Sequence, residues 1–117
     1  MTDTQLHSRT AGWTQIDDDQ CRRLSGALEF IGRRWSGSIL LGMTRGATRF
    51  GEIRASVAGL SDRMLAARLK EFEHAGILTR IVEPTTPVSV RYELTPRGAA
   101  LMAAVQPLAE FGEIWTE

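Results

Sequence analysis

The stretch L-S-D-R-M-L-A-A-R-L-K-E-F-E-H-A-G-I-L, residues 60–78, decides the fold. Ser61 stands where an N-cap hydroxyl is wanted, Asp62 puts negative charge into a first turn, and Gly76 stands where helices end in a left-handed residue. Between them Leu65, Leu69 and Phe72 recur at helical spacing, so the stretch predicts a helix over about 61–75 with one inward stripe. At ~100° per residue the opposite face carries Arg63, Ala67 and Lys70, flanked by Met64 and Ala66. Small side chains there would let the helix sink into a groove about 12 Å wide. Arg68 falls nearer the inward stripe, where a salt bridge to a neighbouring acid is expected of it. His74, near the helix end, complements the dipole.

Working outward, Val57–Leu60 is a tight break that ends a short third helix with Phe50, Ile53 and Val57 inward. For Thr48–Phe50 a small strand is the alternative. Before it, Ser36–Met43 reads as a helix with Trp35, Ile39, Leu40 and Met43 inward, stopped by Gly46. Before that, Asp18–Ile31 sets Leu24, Ala27, Leu28 and Ile31 on one helical face, with Asp17–Asp19 at its positive end and Gly32 at its close. Residues 1–17 are expected to be a mobile N-terminal arm, from which Trp13 and Ile16 stand out. On the other side, Leu78–Glu83 and Val88–Leu94 read as strands joined by the loop Pro84–Pro87. Thr95–Pro96 is an N-cap followed by proline at the first helical position, and it opens a last helix. The order is mainly α with a small β-hairpin. It is a winged helix-turn-helix order, with residues 18–117 expected as one domain.

The 117 residues carry 14 basic and 14 acidic groups, which suits one domain with no net charge. The charge is unevenly placed. Residues 21–80 hold eleven basic groups against five acidic, while residues 1–20 and 81–117 are each acidic by three. A basic block of this kind points to a polyanion. Within the fold expected here that polyanion is double-stranded DNA. Arg63, in the first turn of the fourth helix, is placed to reach a base edge, with Met64 and Ala67 beside it on the reading face. Ser61 and the free amides there suit a phosphate, as does Lys70 further along. Arg49 and Arg54, in the helix that crosses the backbone, are further phosphate candidates. In the hairpin, Thr86 and Arg91, with Thr85 and Ser89, would lie along a minor groove.

Four segments also resemble the HxlR-type transcriptional regulators: A-L-E-F-I-G-R-R-W-S-G-S-I-L-L (27–41), R-F-G-E-I-R (49–54), the 60–78 stretch, and R-Y-E-L-T-P-R-G (91–98). The likeness spans about residues 21–115. It implies a cytoplasmic bacterial or archaeal regulator and a homodimer with one recognition helix per subunit. It also implies N- and C-terminal dimerisation helices. Leu24 and Leu28 would supply one part of that interface. The last helix would supply Leu101, Val105, Leu108, Phe111 and Trp115, a stripe too apolar for one short domain to cover. One departure stands out. Members of this family often carry a cysteine, in some a sensor of oxidants or electrophiles, where this chain has Arg22; its single cysteine, Cys21, lies one residue earlier. Cys21 is therefore the candidate redox thiol. Arg22 and Arg23 favour its thiolate and Asp17–Asp19 oppose it.

Other functions fit less well. The chain has no phosphate loop, no Ser/His/Asp set and no metal-ligand spacing, so neither an enzyme nor a cofactor is expected. One cysteine excludes an internal disulfide and a Cys-rich zinc site. No apolar run reaches about 18 residues, so no membrane span is expected. The rival is a winged helix used for protein–protein contact or assembly without DNA, which requires an uncharged outer face on the fourth helix. A small-molecule effector in a cavity lined by Trp13, Trp35, Phe111 and Trp115 is a second mode of control.

Overall fold

The computed structural model describes residues 15–115. A boundary between Arg33 and Arg34 divides the chain into two compact units. It falls inside the 18–117 span expected as one domain. The arm expected over 1–17 lies outside the described residues as far as residue 14, and Trp13 with it.

The first unit is one described helix, α1, Asp18–Gly32. Its start is locally encoded. The Asp17 carboxylate accepts the Gln20 amide at 2.8 Å, and the Gln20 side chain accepts the Asp17 amide at 3.0 Å. This reciprocal capping box satisfies two amides that a helix start leaves open. Asp18 and Asp19 complement the dipole in the first turn, and Asp19 also holds Arg22. Gly32 does not act as a left-handed terminator: it is the last helical residue, and Arg33 leaves in an extended conformation. The helix buries none of its side chains, and Leu24 and Leu28 are about half exposed.

The second unit runs α2 (Ser36–Thr44), α3 (Phe50–Ala55), α4 (Asp62–His74), β1 (Leu78–Glu83), β2 (Ser89–Leu94) and α5 (Pro96–Trp115). Its core is aliphatic around one ring. Ile39 and Leu40 from α2, Ile53 from α3, and Leu65 and Phe72 from α4 are fully enclosed, with Leu69, Ile77 and Leu78 nearly so. The Thr48–Phe50 alternative resolves as a helix start, with no strand at these residues. Phe50 begins α3, while the Thr48 carbonyl accepts the Tyr92 amide at 2.7 Å, a strand-like bond to β2. The Glu52 carboxylate then accepts the amides of Arg49 (2.9 Å) and Thr48 (3.1 Å), closing the helix start.

α4 begins and ends as its sequence dictates. The Ser61 hydroxyl accepts the Met64 amide at 3.1 Å, and Gly76 follows the helix at φ 74°. That is a left-handed value which glycine adopts without the usual side-chain clash. The strands pair antiparallel, Leu78 with Leu94 through Glu83 with Ser89. Thr95 then fastens two elements together. Its hydroxyl donates to the Gly76 carbonyl at 2.6 Å and accepts the Gly98 amide at 3.0 Å, tying the end of α4 to the start of α5. Gly98 is pressed on the Ile77 carbonyl so closely that any Cβ would collide with it.

Candidate nucleic-acid interface

Helices α3 and α4, joined by the turn 56–61, form the helix-turn-helix, and the hairpin lies beside it. Burial divides α4 cleanly. Leu65, Leu69 and Phe72 face the core, while Arg63, Ala66, Ala67 and Lys70 are exposed and Met64 is half-buried. Among the described residues neither Arg63 nor Lys70 has an ion-pair partner. Their charge is therefore available to an incoming anion. Ser61, also exposed, already spends one lone pair on its own helix.

Arg68 sits on the other side of this division. It is buried, donates from Nε to the Arg34 carbonyl at 3.0 Å, and pairs with Glu71 at 3.0 Å. It ties α4 to the segment that enters α2, which agrees with the salt bridge expected of it. That segment is unusual. Trp35 stands at φ 76°, a left-handed value rare for a large side chain. The Arg34 guanidinium lies 4.8 Å from the Trp35 ring centre.

The remaining sequence candidates divide by what already holds them. Arg54 reaches the Asp62 carboxylate at 2.5 Å, across the turn between the two helices, with both side chains more than half exposed. Such a pair contributes little to stability, but a phosphate must compete with Asp62 for Arg54. Arg49 is exposed and donates to the Ser89 hydroxyl, a neutral partner that leaves its charge intact. It joins the start of α3 to β2. Thr86 is exposed at the hairpin tip. Arg91 is held by Glu93 and, at 2.6 Å, by Glu83. These two hydrogen bonds, Glu93 first, raise its pKa still further.

Beside α4 lies a concavity of about 330 Å³, lined by Phe50, Ala66, Ala67, Leu69, Lys70, Glu73, Arg80 and Tyr92. Arg80 and Tyr92 escaped the sequence reasoning. Both are ordinary strand residues, and only the pairing register sets them side by side next to α4.

The dimer candidates of α5 become more exposed along the helix. Leu108 and Phe111 are about half exposed and Trp115 is 76% exposed, while Leu101 and Val105 are half-buried. Phe111 and Trp115 stack with ring centres 6.1 Å apart. An apolar groove of about 760 Å³ runs between α2 and α5, past Leu41, Arg45, Met102 and Val105. Cys21 is an exposed free thiol, and one cation expected to favour its thiolate, Arg22, is engaged by Asp19. Among the described residues no cluster of metal-ligating side chains occurs, and no helix is long and apolar enough to cross a membrane.

A helix-turn-helix whose second helix shows unpaired cations beside a two-stranded hairpin defines a winged-helix DNA-binding protein. The family model for HxlR-like helix-turn-helix proteins matches residues 30–117, and the chain belongs to that family. It is a DNA-binding transcriptional regulator. The HTH-type transcriptional regulator YodB of Bacillus subtilis is 39% identical over 102 residues, covering 87% of this chain and 91% of YodB. Crystal structures of YodB are similar to this chain in a reduced form (TM-score 0.71) and a diamide-treated form (TM-score 0.69). Both are 40% identical over 78% of this chain, covering 89% and 90% of the respective YodB chains. A transcriptional regulator of the MarR family from Enterococcus faecalis V583 is similar at TM-score 0.73 and 32% identity, over 87% of this chain and 91% of its own.

Proposed function

We propose that the regulator acts as a homodimer on a two-fold related site in double-stranded DNA, with one α4 in each of two successive major grooves about 34 Å apart. The observation that carries this reading is Arg63: exposed, without an ion-pair partner among the described residues, and in the first turn of a helix whose outer face carries alanine, methionine and one further cation, Lys70. Arg63 contacts a base edge, Met64 and Ala67 line the approach, and Ser61, Lys70 and Arg49 hold phosphates. Arg54 and Arg91 contribute less, because acids already neutralise them. The protein–protein alternative requires an uncharged outer face on α4 and is disfavoured by the exposed Arg63 and Lys70.

Dimerisation rests on exposed apolar surface. Leu108, Phe111 and Trp115 present a stripe that residues 34–115 do not cover, half-buried Leu101 and Val105 continue it, and the groove between α2 and α5 extends it. In the first unit, Leu24 and Leu28 of α1 are exposed apolar side chains in their own right. A signal would act by changing the angle between the two DNA-binding units, a coupling typically worth 1–3 kcal/mol. Support for an electrophile as that signal comes from the exposed Cys21 and from YodB, whose structures include a diamide-treated form. Abolition of DNA binding by diamide, and its retention in Cys21→Ser, is the expected pattern; diamide without effect removes the redox role.

Arg63→Ala tests the base contact. It is expected to cost roughly 1–3 kcal/mol on the cognate site and to relax preference at one base pair. A uniform loss on all DNA would reassign Arg63 to the phosphates.

A further inference from the structure

The register sorts the hairpin's charges between its two faces. Residues paired directly across the ladder share a face. Glu83 pairs with Ser89 and Ile81 with Arg91, so Glu83, Arg91 and Glu93 lie on one side, where the two acids close around the arginine. Leu78 pairs with Leu94 and Arg80 with Tyr92 on the other side. Leu78 is buried in the core, and Arg80 and Tyr92 line the concavity shared with Ala66, Ala67 and Lys70 of α4. This hairpin face is thus continuous with the outer surface of the recognition helix. Arg80 is exposed, and among the described residues it has no ion-pair partner.

The chemistry of the concavity is two-part. Its floor is alanine, leucine and aromatic carbon, and two cations, Lys70 and Arg80, come to it from different elements. Its one acid, Glu73, leaves a net positive charge. A nucleic-acid backbone has the matching character, with apolar sugar carbons beside a charged phosphate.

We propose that this concavity seats the backbone of one DNA strand, with Lys70 and Arg80 on a phosphate and Ala66, Ala67, Phe50 and Tyr92 against the deoxyribose. Arg80, not Arg91, is then the hairpin's DNA contact, and Arg91 serves to join the two strands. The proposal rests on the reading that α4 enters the major groove.

The test is binding to a labelled duplex of arbitrary sequence over a range of salt, since phosphate contacts carry no sequence information. Arg80→Gln and Lys70→Gln are each expected to make the salt dependence shallower by about one unit. Arg91→Gln should leave the slope unchanged, and Glu73→Gln should tighten binding. All four positions are surface or rim positions, and thermal melting checks that each variant is folded. An unchanged slope in Arg80→Gln with a shallower one in Lys70→Gln would overturn the proposal and leave the recognition-helix reading standing. Unchanged slopes in both would overturn both. A shallower slope in Arg91→Gln but not in Arg80→Gln would assign DNA to the other face of the hairpin. Lys70 is the only lysine in the chain, so its acylation gives a readout without substitution. Duplex DNA is expected to protect it, and equal labelling with and without DNA counts against the proposal.

Discussion

Helices α4 and α5 carry apolar stripes of the same period, yet their fates differ. In α4, Leu65 and Phe72 are fully enclosed and Leu69 is 3% exposed. In α5, Leu108, Phe111 and Trp115 run from half to three-quarters exposed, and only Gly98 and Met102 are buried. Periodicity states that a helix has an apolar face. It does not state whether the same chain covers that face. The α4 stripe is closed within its own unit, with β1 packed against it, and the opposite face is thereby held at the surface. The α5 stripe outlasts the core it starts from, and its far end is surface of a kind that associates.

The largest expected effect falls on the closed stripe. Phe72→Ala should lower folding stability by about 3–5 kcal/mol, the range for deleting an enclosed ring, measurable by urea titration. Trp115→Glu should leave the stability of the folded chain within about 0.5 kcal/mol while shifting sedimentation from dimer to monomer. If it destabilises the fold as Phe72→Ala does, the contrast between the two helices is wrong. A dimer that persists would move the seam elsewhere.

The smallest effect concerns the start of α3. The amides of Arg49 and Thr48, in that order, hold the Glu52 carboxyl below its ordinary value of 4.5. A carboxyl whose folded pKa is depressed contributes stability that is fully present above the unfolded value and is lost as pH falls through the folded one. Glu52→Gln should therefore be slightly less stable than the parent at neutral pH, with the difference shrinking below pH 4.5. A difference independent of pH would mean that the carboxylate charge is immaterial there.

Much of the fold was legible because its signals are local. The Ser61 cap, the Gly76 terminator, the Thr95–Pro96 start and the hairpin loop each depend on residues within one turn. The buried faces of α2, α3 and α4 followed from spacing, as did the exposure of Arg63 and Lys70. The points that spacing left open have different physical causes. Arg54 meets Asp62 and Arg91 meets Glu83, each eight residues away and brought close only by the fold, while Glu93, two residues from Arg91, shares its strand face. Arg80 was passed over because alternation alone does not say which hairpin face meets α4. Gly32 looked like a helix end of the left-handed kind, but the chain leaves α1 through an extended Arg33 instead.

The amino-acid sequence by itself determined the elements, their order, the Ser61 and Gly76 ends of α4 and the family, since these depend on short-range hydrogen bonding and on the period of apolar side chains. Tertiary structure alone decided which cations remain available to DNA. A guanidinium is neutralised by whatever acid folding brings beside it, and the pairing register closed Arg91 between two carboxylates while leaving Arg80 open next to the recognition helix.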